Sequence, residues 1–560
     1  MPKTASPVSR ILNLVKLERK EIAAVYLYAI LNGLIQLSLP LGVQAIVGFV
    51  LGASMRASLV VLIVLVVSGV LIAGIMQVNQ MKIIEKIQQK LFVRYSFAFA
   101  AHIPRLDLKK TDNIYLPELV NRFFEIPVLQ KSLSKILLDI PTASIQILFG
   151  LMLLTFYHPA FILFGFFLIL LLWLILRYNG KHFLQTSIDE SNYKYQVAGW
   201  LEETARIIKS IKLAKSSDLQ MKKTDEQVIG YLDARNSHFR ILLLQYNTLV
   251  IFKTIITAAM LIVGTLLLVN QQINIGQFIA AEIIILLVLN SVEKLIMNLG
   301  SVYDTLTSIE KIANLTDKPV EQDGSVQLAD TTNGLKVELK NLSFSYNNET
   351  DVLTNISFQV SPGEKICIKG KDSSGKSSLL KLMAGAYTDF KGALLLDDVP
   401  VGNYNLDSVR SQIGVLINTQ EIFSGTLWEN ITLGSSTASM ETVNYYANKV
   451  GLNDFIAAQK NGYDTILDPT GKRLPGSVIH KILLVRALAG KPRLLLLEDP
   501  WMNLEDGLRR QIIQLLNEIK NTTLVVVSND EDFAKQCDKV LIMHEGRITA
   551  VTNTNSENQQ

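Results

Sequence analysis

Cysteine is almost absent from this sequence. The two present, Cys367 and Cys537, both fall in the C-terminal half, about 170 residues apart. That excludes a disulfide framework. No metal-ligand spacing surrounds them, so both read as reduced core residues of a cytosolic domain. Charge is also scarce: Asp, Glu, Lys and Arg make up 19% of residues, against 49% hydrophobic. A soluble chain of this size is usually richer in charge. The net charge of +4 is too small to argue for a nucleic-acid partner. The N-terminus lacks the charged, apolar, small-residue succession of a cleaved signal. Its first apolar run is too long for one, and it follows a basic amphipathic stretch, Val8 to Lys20.

What is present before residue 300 is hydrophobic length. A membrane helix needs roughly 20 largely apolar residues. Six runs qualify: Ala23–Val50, Ala57–Gln77, Ile136–Phe156, Ala160–Leu176, Asn247–Val269 and Ile275–Leu295. Tyr157, His158 and Pro159 form a tight hairpin between the third and fourth. The gaps after the second and fourth runs are long and polar, with apolar residues at helical spacing. They carry Lys82, Lys86, Lys90, Arg94, Arg105, Lys109, Lys110 and Arg122 in one, and Lys181, Lys209, Lys212, Lys215, Lys222 and Lys223 in the other. The short loops hold almost no charge, Arg56 being the exception. By the positive-inside rule, both termini and both long gaps are expected in the cytoplasm. Residues 1–315 are thus expected to form an all-α, six-span membrane domain.

Residues 316–335 read as a polar linker. From there to residue 550, short β-branched runs alternate with helical stretches, the pattern of an α/β domain. Residues 551–560 read as a polar tail. Inside the α/β part, Gly370-Lys371-Asp372-Ser373-Ser374-Gly375-Lys376-Ser377 matches G-x-x-x-x-G-K-[ST]. The buried-strand candidate Lys365–Lys369 precedes it and a helix starts near Lys376. Backbone N–H groups of such a loop cradle phosphates, at the positive end of the helix. Lys376 is expected to reach the β- and γ-phosphates of ATP and Ser377 to bind Mg²⁺, with Ser378 beside them.

At this point the chain resembles the ATP-binding cassette (ABC) transporter family, of the exporter type with six helices and one cassette per half-transporter. The resemblance covers nearly the whole chain and rests on further segments. These are Phe344-Ser-Tyr346, Ser361-Pro-Gly-Glu-Lys365, Ile422 to Asn430, Gly462-Tyr-Asp-Thr465, Arg486-Ala-Leu488, Pro492 to Leu497 and Gly546-Arg-Ile548. It implies that Tyr346 stacks on adenine. It also implies that Glu203 to Lys212 resembles the second intracellular loop, and Leu116 to Arg122 the segment after the first coupling helix, with Pro117 in place of glycine. Ile275 to Glu282 is similar to the type I secretion and bacteriocin-export branch. The peptidase domain frequent in that branch is not expected here.

Departures from the family pattern fall where hydrolysis needs it most. Asn418 stands at the Q-loop glutamine, a nucleotide and metal contact in the family, with Gln420 nearby. The signature L-S-G-G-Q reads Leu474-Pro475-Gly476-Ser477-Val478. In the family this segment touches the nucleotide bound to the opposite subunit. Pro475 removes a hydroxyl and an N–H, Ser477 adds a side chain where backbone approaches closely, and Val478 ends a polar contact. Glu498 is expected to help hold Mg²⁺. Asp499 takes the place of the general base one methylene short, a retreat of roughly 1.5 Å, and about 1 Å of misplacement can cost about a hundredfold. Asn529 replaces the switch histidine, and the D-loop reads Met502-Asn-Leu-Glu505.

The resemblance therefore implies a dimeric inner-membrane exporter in bacteria. It would bind Mg·ATP, hydrolyse it slowly, and move a peptide, protein or amphiphile toward a periplasmic adaptor. The alternative is a pseudo-transporter that binds ATP as a structural or regulatory subunit, or as the weak half of a heterodimer. Within the spans, Glu282 is either a functional carboxylate or an interhelical hydrogen-bonding group. Lys253 is expected to snorkel, and Gln36, Gln44, Gln77 and Gln146 are candidate pore or interhelical contacts.

Overall fold

The computed structural model describes residues 6–52, 56–178, 180–214, 218–347, 350–471 and 473–554. Lys215 and the tail from residue 555 lie outside the described residues, as do the side chains of Arg56 and Lys181. The chain divides into two units. One comprises Met1–Pro104 and Ile114–Lys318, the other Arg105–Asn113 and Pro319–Gln560.

The first unit is helical. Among the described residues, five helices are long and apolar enough to cross a membrane: Arg19–Leu51, Ala57–Arg105, Leu116–Tyr157, Leu219–Val269 and Ile275–Thr316. The expected fourth span is the 19-residue helix Ala160–Tyr178. The helix Arg56–His102 has 47 residues, which at 1.5 Å per residue is about 70 Å, against about 30 Å of bilayer hydrocarbon. Such helices run well past the membrane, which is why the long polar gaps keep helical periodicity. The first span departs from expectation. It is two helices, Arg19–Gln36 and Ser38–Leu51, joined at Leu37. Pro40 explains the break: it has no N–H to donate and its ring crowds the carbonyl of Gln36. Ahead of it, the amphipathic stretch is the helix Pro7–Leu17, capped by Ser6.

Polar side chains join the helices inside this unit. Gln146 donates to Gln36, Ser291 donates to Gln146 at 2.7 Å, and Tyr157 donates to Gln44 at 2.6 Å. Gln77 stays exposed. Lys253 pairs with Glu293 on the next helix, both side chains half-buried. The Oε2 atom of Glu282 is buried and makes no hydrogen bond among the described residues.

Among the described residues, the second unit holds two main sheets and a two-stranded pairing of Gly425–Thr426 with Ile466–Leu467. The larger runs in the order Arg547–Asn553, Lys539–His544, Lys365–Gly370, Thr523–Val527, Leu494–Glu498, Ile413–Leu416. All its pairings are parallel except the first, which is antiparallel. Its central strands are apolar on both faces, as a covered parallel sheet requires. The smaller sheet is antiparallel: Leu353–Val360, Val337–Phe344, Lys391–Leu396, Val399–Pro400.

Two boundaries differ from the sequence reading. Residues 551–553, expected in the polar tail, continue the last strand: Leu541 pairs with Val551 and Lys539 with Asn553. β-Branched Val551 and Thr552 favour that extension. The linker is anchored by its few apolar residues, with Leu328 and Leu335 buried in the second unit's core. A short segment, Arg105–Asn113, also belongs to this unit although it lies between membrane helices in sequence. Its helix Leu108–Thr111 is capped by Asp107, and Lys109 bonds Asp389 at 2.9 Å.

Candidate nucleotide site

The larger sheet places three of its loops together. The strand Lys365–Gly370 feeds the phosphate-loop sequence, Leu494–Glu498 delivers Glu498, and Ile413–Leu416 leads to Asn418. In parallel sheets, ligands bind beyond the carboxyl ends of the strands, and all three loops lie there.

Backbone conformation makes the loop. Gly375 has φ +96°, and a Cβ there would lie 2.7 Å from Leu353 Cδ2 and 3.1 Å from the Val352 carbonyl oxygen. Only glycine fits. The helix Lys376–Met383 starts at the next residue, so its free N–H groups open onto the loop. The Lys376 ammonium donates to the carbonyls of Gly370 and Lys371, both at 2.7 Å. Lys371, Asp372 and Ser373 are exposed at the tip, whereas Ser374 and Ser378 are buried.

Ser377 donates its hydroxyl hydrogen bond to the Glu498 carboxylate, which is itself buried. The other Glu498 oxygen accepts the backbone N–H of Asn418 at 3.0 Å. A hydroxyl and a carboxylate meeting beside a phosphate loop is the hard oxygen donor set that Mg²⁺ takes. Asn418 takes part through its backbone, and its side chain is exposed. Gln420 turns back instead, accepting the Ile417 N–H at 3.2 Å.

Asp499 follows Glu498 in a left-handed backbone conformation, φ 40°. Burial pushes its carboxyl above the usual range; a hydrogen bond from Ser528 opposes this, and the charge of Glu498 adds to it. Asn529 accepts the N–H of Gly370 at 3.1 Å, so the switch position touches the start of the loop. Tyr346 reaches Ser378, its hydroxyl 2.9 Å from the serine's. Its ring packs edge-on against Phe344 and Tyr387.

The signature segment lies elsewhere. Leu474 and Val478 pack against the core that contains Leu483 and Ile422, while the loop helix packs in the other core with Leu379 and Leu380. Among the described residues, no hydrogen bond joins Leu474–Val478 to the phosphate loop. Pro475 occupies the N-cap of the helix Gly476–Ala489 and supplies no side-chain cap. Pro475 and Gly476 are exposed, and Ser477 is half-buried. Val478 turns inward for the reason its chemistry gives: an apolar side chain at that helix position finds the core.

Sequence reasoning missed three residues around the site. Ser528 is buried and follows Val527, whose carbonyl accepts the Asp499 N–H at 2.9 Å. Buried His480 reaches the Pro500 carbonyl at 2.9 Å. Arg509 grips Asp530 and Asp532. The acidic run Asp530-Glu531-Asp532 after a buried strand was the available signal for the last. Nothing in the sequence marked the other two.

A helical unit with membrane-length spans and an α/β unit with a phosphate loop, on one polypeptide, define a nucleotide-dependent membrane protein. Residues 353–502 match the ABC transporter family, and residues 22–292 match the ABC transporter transmembrane region. The chain belongs to the ABC transporter family. It is 29% identical over 356 residues to the alpha-hemolysin translocation ATP-binding protein HlyB of Escherichia coli O157:H7, covering 62% of this chain and 50% of that protein. It is 31% identical over 303 residues to the uncharacterized ABC transporter ATP-binding protein YknU of Bacillus subtilis, covering 52% and 50%. Similarity to the ATP-dependent lipid A-core flippase of Saccharophagus degradans is 31% over 250 residues, covering 44% and 42%. The chain thus spans about half the length of the curated relatives it matches. In fold it is similar to a bacterial Atm1-family ABC exporter solved with ATP bound, at TM-score 0.85 and 17% identity, covering 97% of this chain and 96% of that one.

Proposed function

We propose that this chain is one half of a dimeric ABC exporter of the bacterial inner membrane, with its termini and cassette in the cytoplasm. The observation that carries the reading is the meeting of Ser377, Glu498 and the Lys376-braced loop beyond the strand ends. Bound Mg²⁺ would neutralise phosphate charge there. The loop N–H groups and Lys376 would hold the β- and γ-phosphates of ATP, Tyr346 the adenine, and Asp499 the proton of the attacking water. The Asn529 amide donates to phosphate without a titratable proton. The opposite subunit's site would take Leu474–Val478 of this chain.

Hydrolysis is slow on this reading. Asp499 is a methylene short, and the signature lacks a hydroxyl at Pro475. The cargo is a peptide, protein or amphiphile, carried across by alternating access. Support comes from relatives named for hemolysin and leukotoxin translocation and for lipid A-core flipping. A periplasmic adaptor fits the first two.

A second reading is favoured by one observation. Val478 is apolar and packs, half-buried, against the core, leaving no polar group at that signature position to meet a nucleotide. The chain would then be a pseudo-transporter, or the weak half of a heterodimer. The test is the ATPase rate of the full chain in lipid nanodiscs against Lys376→Ala. A Lys376-dependent rate on the order of 0.1–1 s⁻¹, at or below the low end of ordinary enzymes, supports the exporter. A rate equal to the variant's, with ATP still bound, supports the second reading.

A further inference from the structure

The segment after the strand Thr523–Val527 is Ser528-Asn529-Asp530-Glu531-Asp532. Three acids in a row beside a phosphate loop would repel a bound nucleotide if left alone. Each is matched instead. Arg509, on the helix Asp506–Glu518, donates through Nε to Asp530 at 2.6 Å and through Nη2 to Asp532 at 2.6 Å. Glu531 pairs with Lys369, the residue before Gly370. The Asp530 carboxylate is buried, whereas those of Glu531 and Asp532 are exposed. The part-buried Arg509–Asp530 contact is therefore stronger than the other two, because exposed pairs are screened.

The consequence runs along the backbone. Asp530 also caps the short helix Glu531–Ala534, accepting the Phe533 N–H at 2.9 Å. Its own N–H donates to Ser528 Oγ at 3.2 Å. Ser528 is buried, and the carbonyl of Val527 before it accepts the backbone N–H of Asp499 at 2.9 Å. Asn529, between them, meets the Gly370 N–H. One guanidinium fork thus fixes a turn that sets Asp499 on one side and Asn529 on the other.

We propose that Arg509 is a positioning residue of the nucleotide site, acting through Asp530 and Ser528 on Asp499 and Asn529. This rests on the reading of Asp499 as the base. Arg509 is not itself at the phosphate loop. Its loss frees the turn, so the water-activating carboxylate loses its fixed place while the loop that holds phosphates stays built.

The test uses the full chain in nanodiscs, with single-turnover hydrolysis of ATP and hydrogen–deuterium exchange on residues 528–533. Arg509→Gln is expected to lower kcat about ten- to a hundredfold, as for a displacement of about 1 Å, with KM within about twofold. Exchange across 528–533 rises. Arg509→Lys, which keeps the charge but not the fork, falls between. Asp530→Asn matches Arg509→Gln, and the double variant is no worse than either single one, as coupled partners require. Asp532→Asn changes little. An unchanged kcat in Arg509→Gln, or additive losses in the double variant, overturns the proposal. If wild-type turnover does not depend on Lys376, the hydrolysis reading has failed separately. Exchange then decides: an unchanged 528–533 segment in Arg509→Gln overturns the positioning role.

Discussion

The phenol of Tyr346 lies 2.9 Å from the hydroxyl of Ser378, one residue beyond the phosphate-loop motif. An aromatic just past the end of the strand Val337–Phe344 is thereby tied to the helix that starts the nucleotide site. Tyr346→Phe removes the hydrogen bond and keeps the ring between Phe344 and Tyr387; it is expected to lower stability by about 1 kcal/mol. Tyr346→Ala also removes the packing and is expected to lower stability by about 2 kcal/mol or more. On the proposed reading it should weaken ATP binding as well, since the adenine would lose its platform. Chemical denaturation and titration with a fluorescent ATP analogue check both.

Two glycines of the candidate site separate fold from function. Gly375→Ala forces a Cβ to 2.7 Å from Leu353 at a left-handed φ. The expected result is a destabilised cassette that no longer retains ATP. Gly476→Ala meets nothing within 4 Å and sits in the first turn of a helix, where alanine is favoured by up to about 1 kcal/mol. Stability is expected to hold or rise while turnover falls, because in the proposed dimer the added methyl would face the nucleotide of the opposite subunit. Melting temperature and ATPase rate, measured on the same samples, distinguish the two.

His480 gives the cassette an acid sensitivity. Burial holds its imidazole below the usual value, opposed by the Pro500 carbonyl and the charge of Asp499. The folded state thus prefers the neutral ring. The unfolded chain takes up the proton first, so stability is complete above the ordinary histidine value, about 6.5, and is lost as pH falls through it. His480→Gln is expected to flatten that dependence in melts taken from about pH 7.5 to 5.5. A slope unchanged by the substitution would assign the effect to other groups.

Lys253 and Glu293 pair across two membrane helices. Removing either leaves a lone charge, a loss of about 3 kcal/mol or more, whereas removing both is far milder. Thermal unfolding in detergent of Lys253→Met, Glu293→Gln and the double variant closes the cycle. Additive losses would show that the pair is not coupled.

Much of this was legible in linear sequence. Hydrophobic length marks spans because nothing else lets a helix cross hydrocarbon. The phosphate loop was legible because its glycines and lysine answer to local backbone geometry: Gly375 needs its left-handed φ whatever surrounds it. The changes at Pro475, Asp499 and Asn529 were visible as changes of residue type.

What the chain order alone determined, then, was the kind of protein and the position of its phosphate loop, since both depend on neighbours a few residues away. Tertiary structure alone decided who meets whom. Ser377 and Glu498 are 121 residues apart and touch; Lys253 finds Glu293, 40 residues on; Val478 packs against the core; Arg509 finds Asp530, 21 residues on. Such contacts follow from which strands lie side by side and which helix faces pack, and those choices are made by the whole buried surface at once.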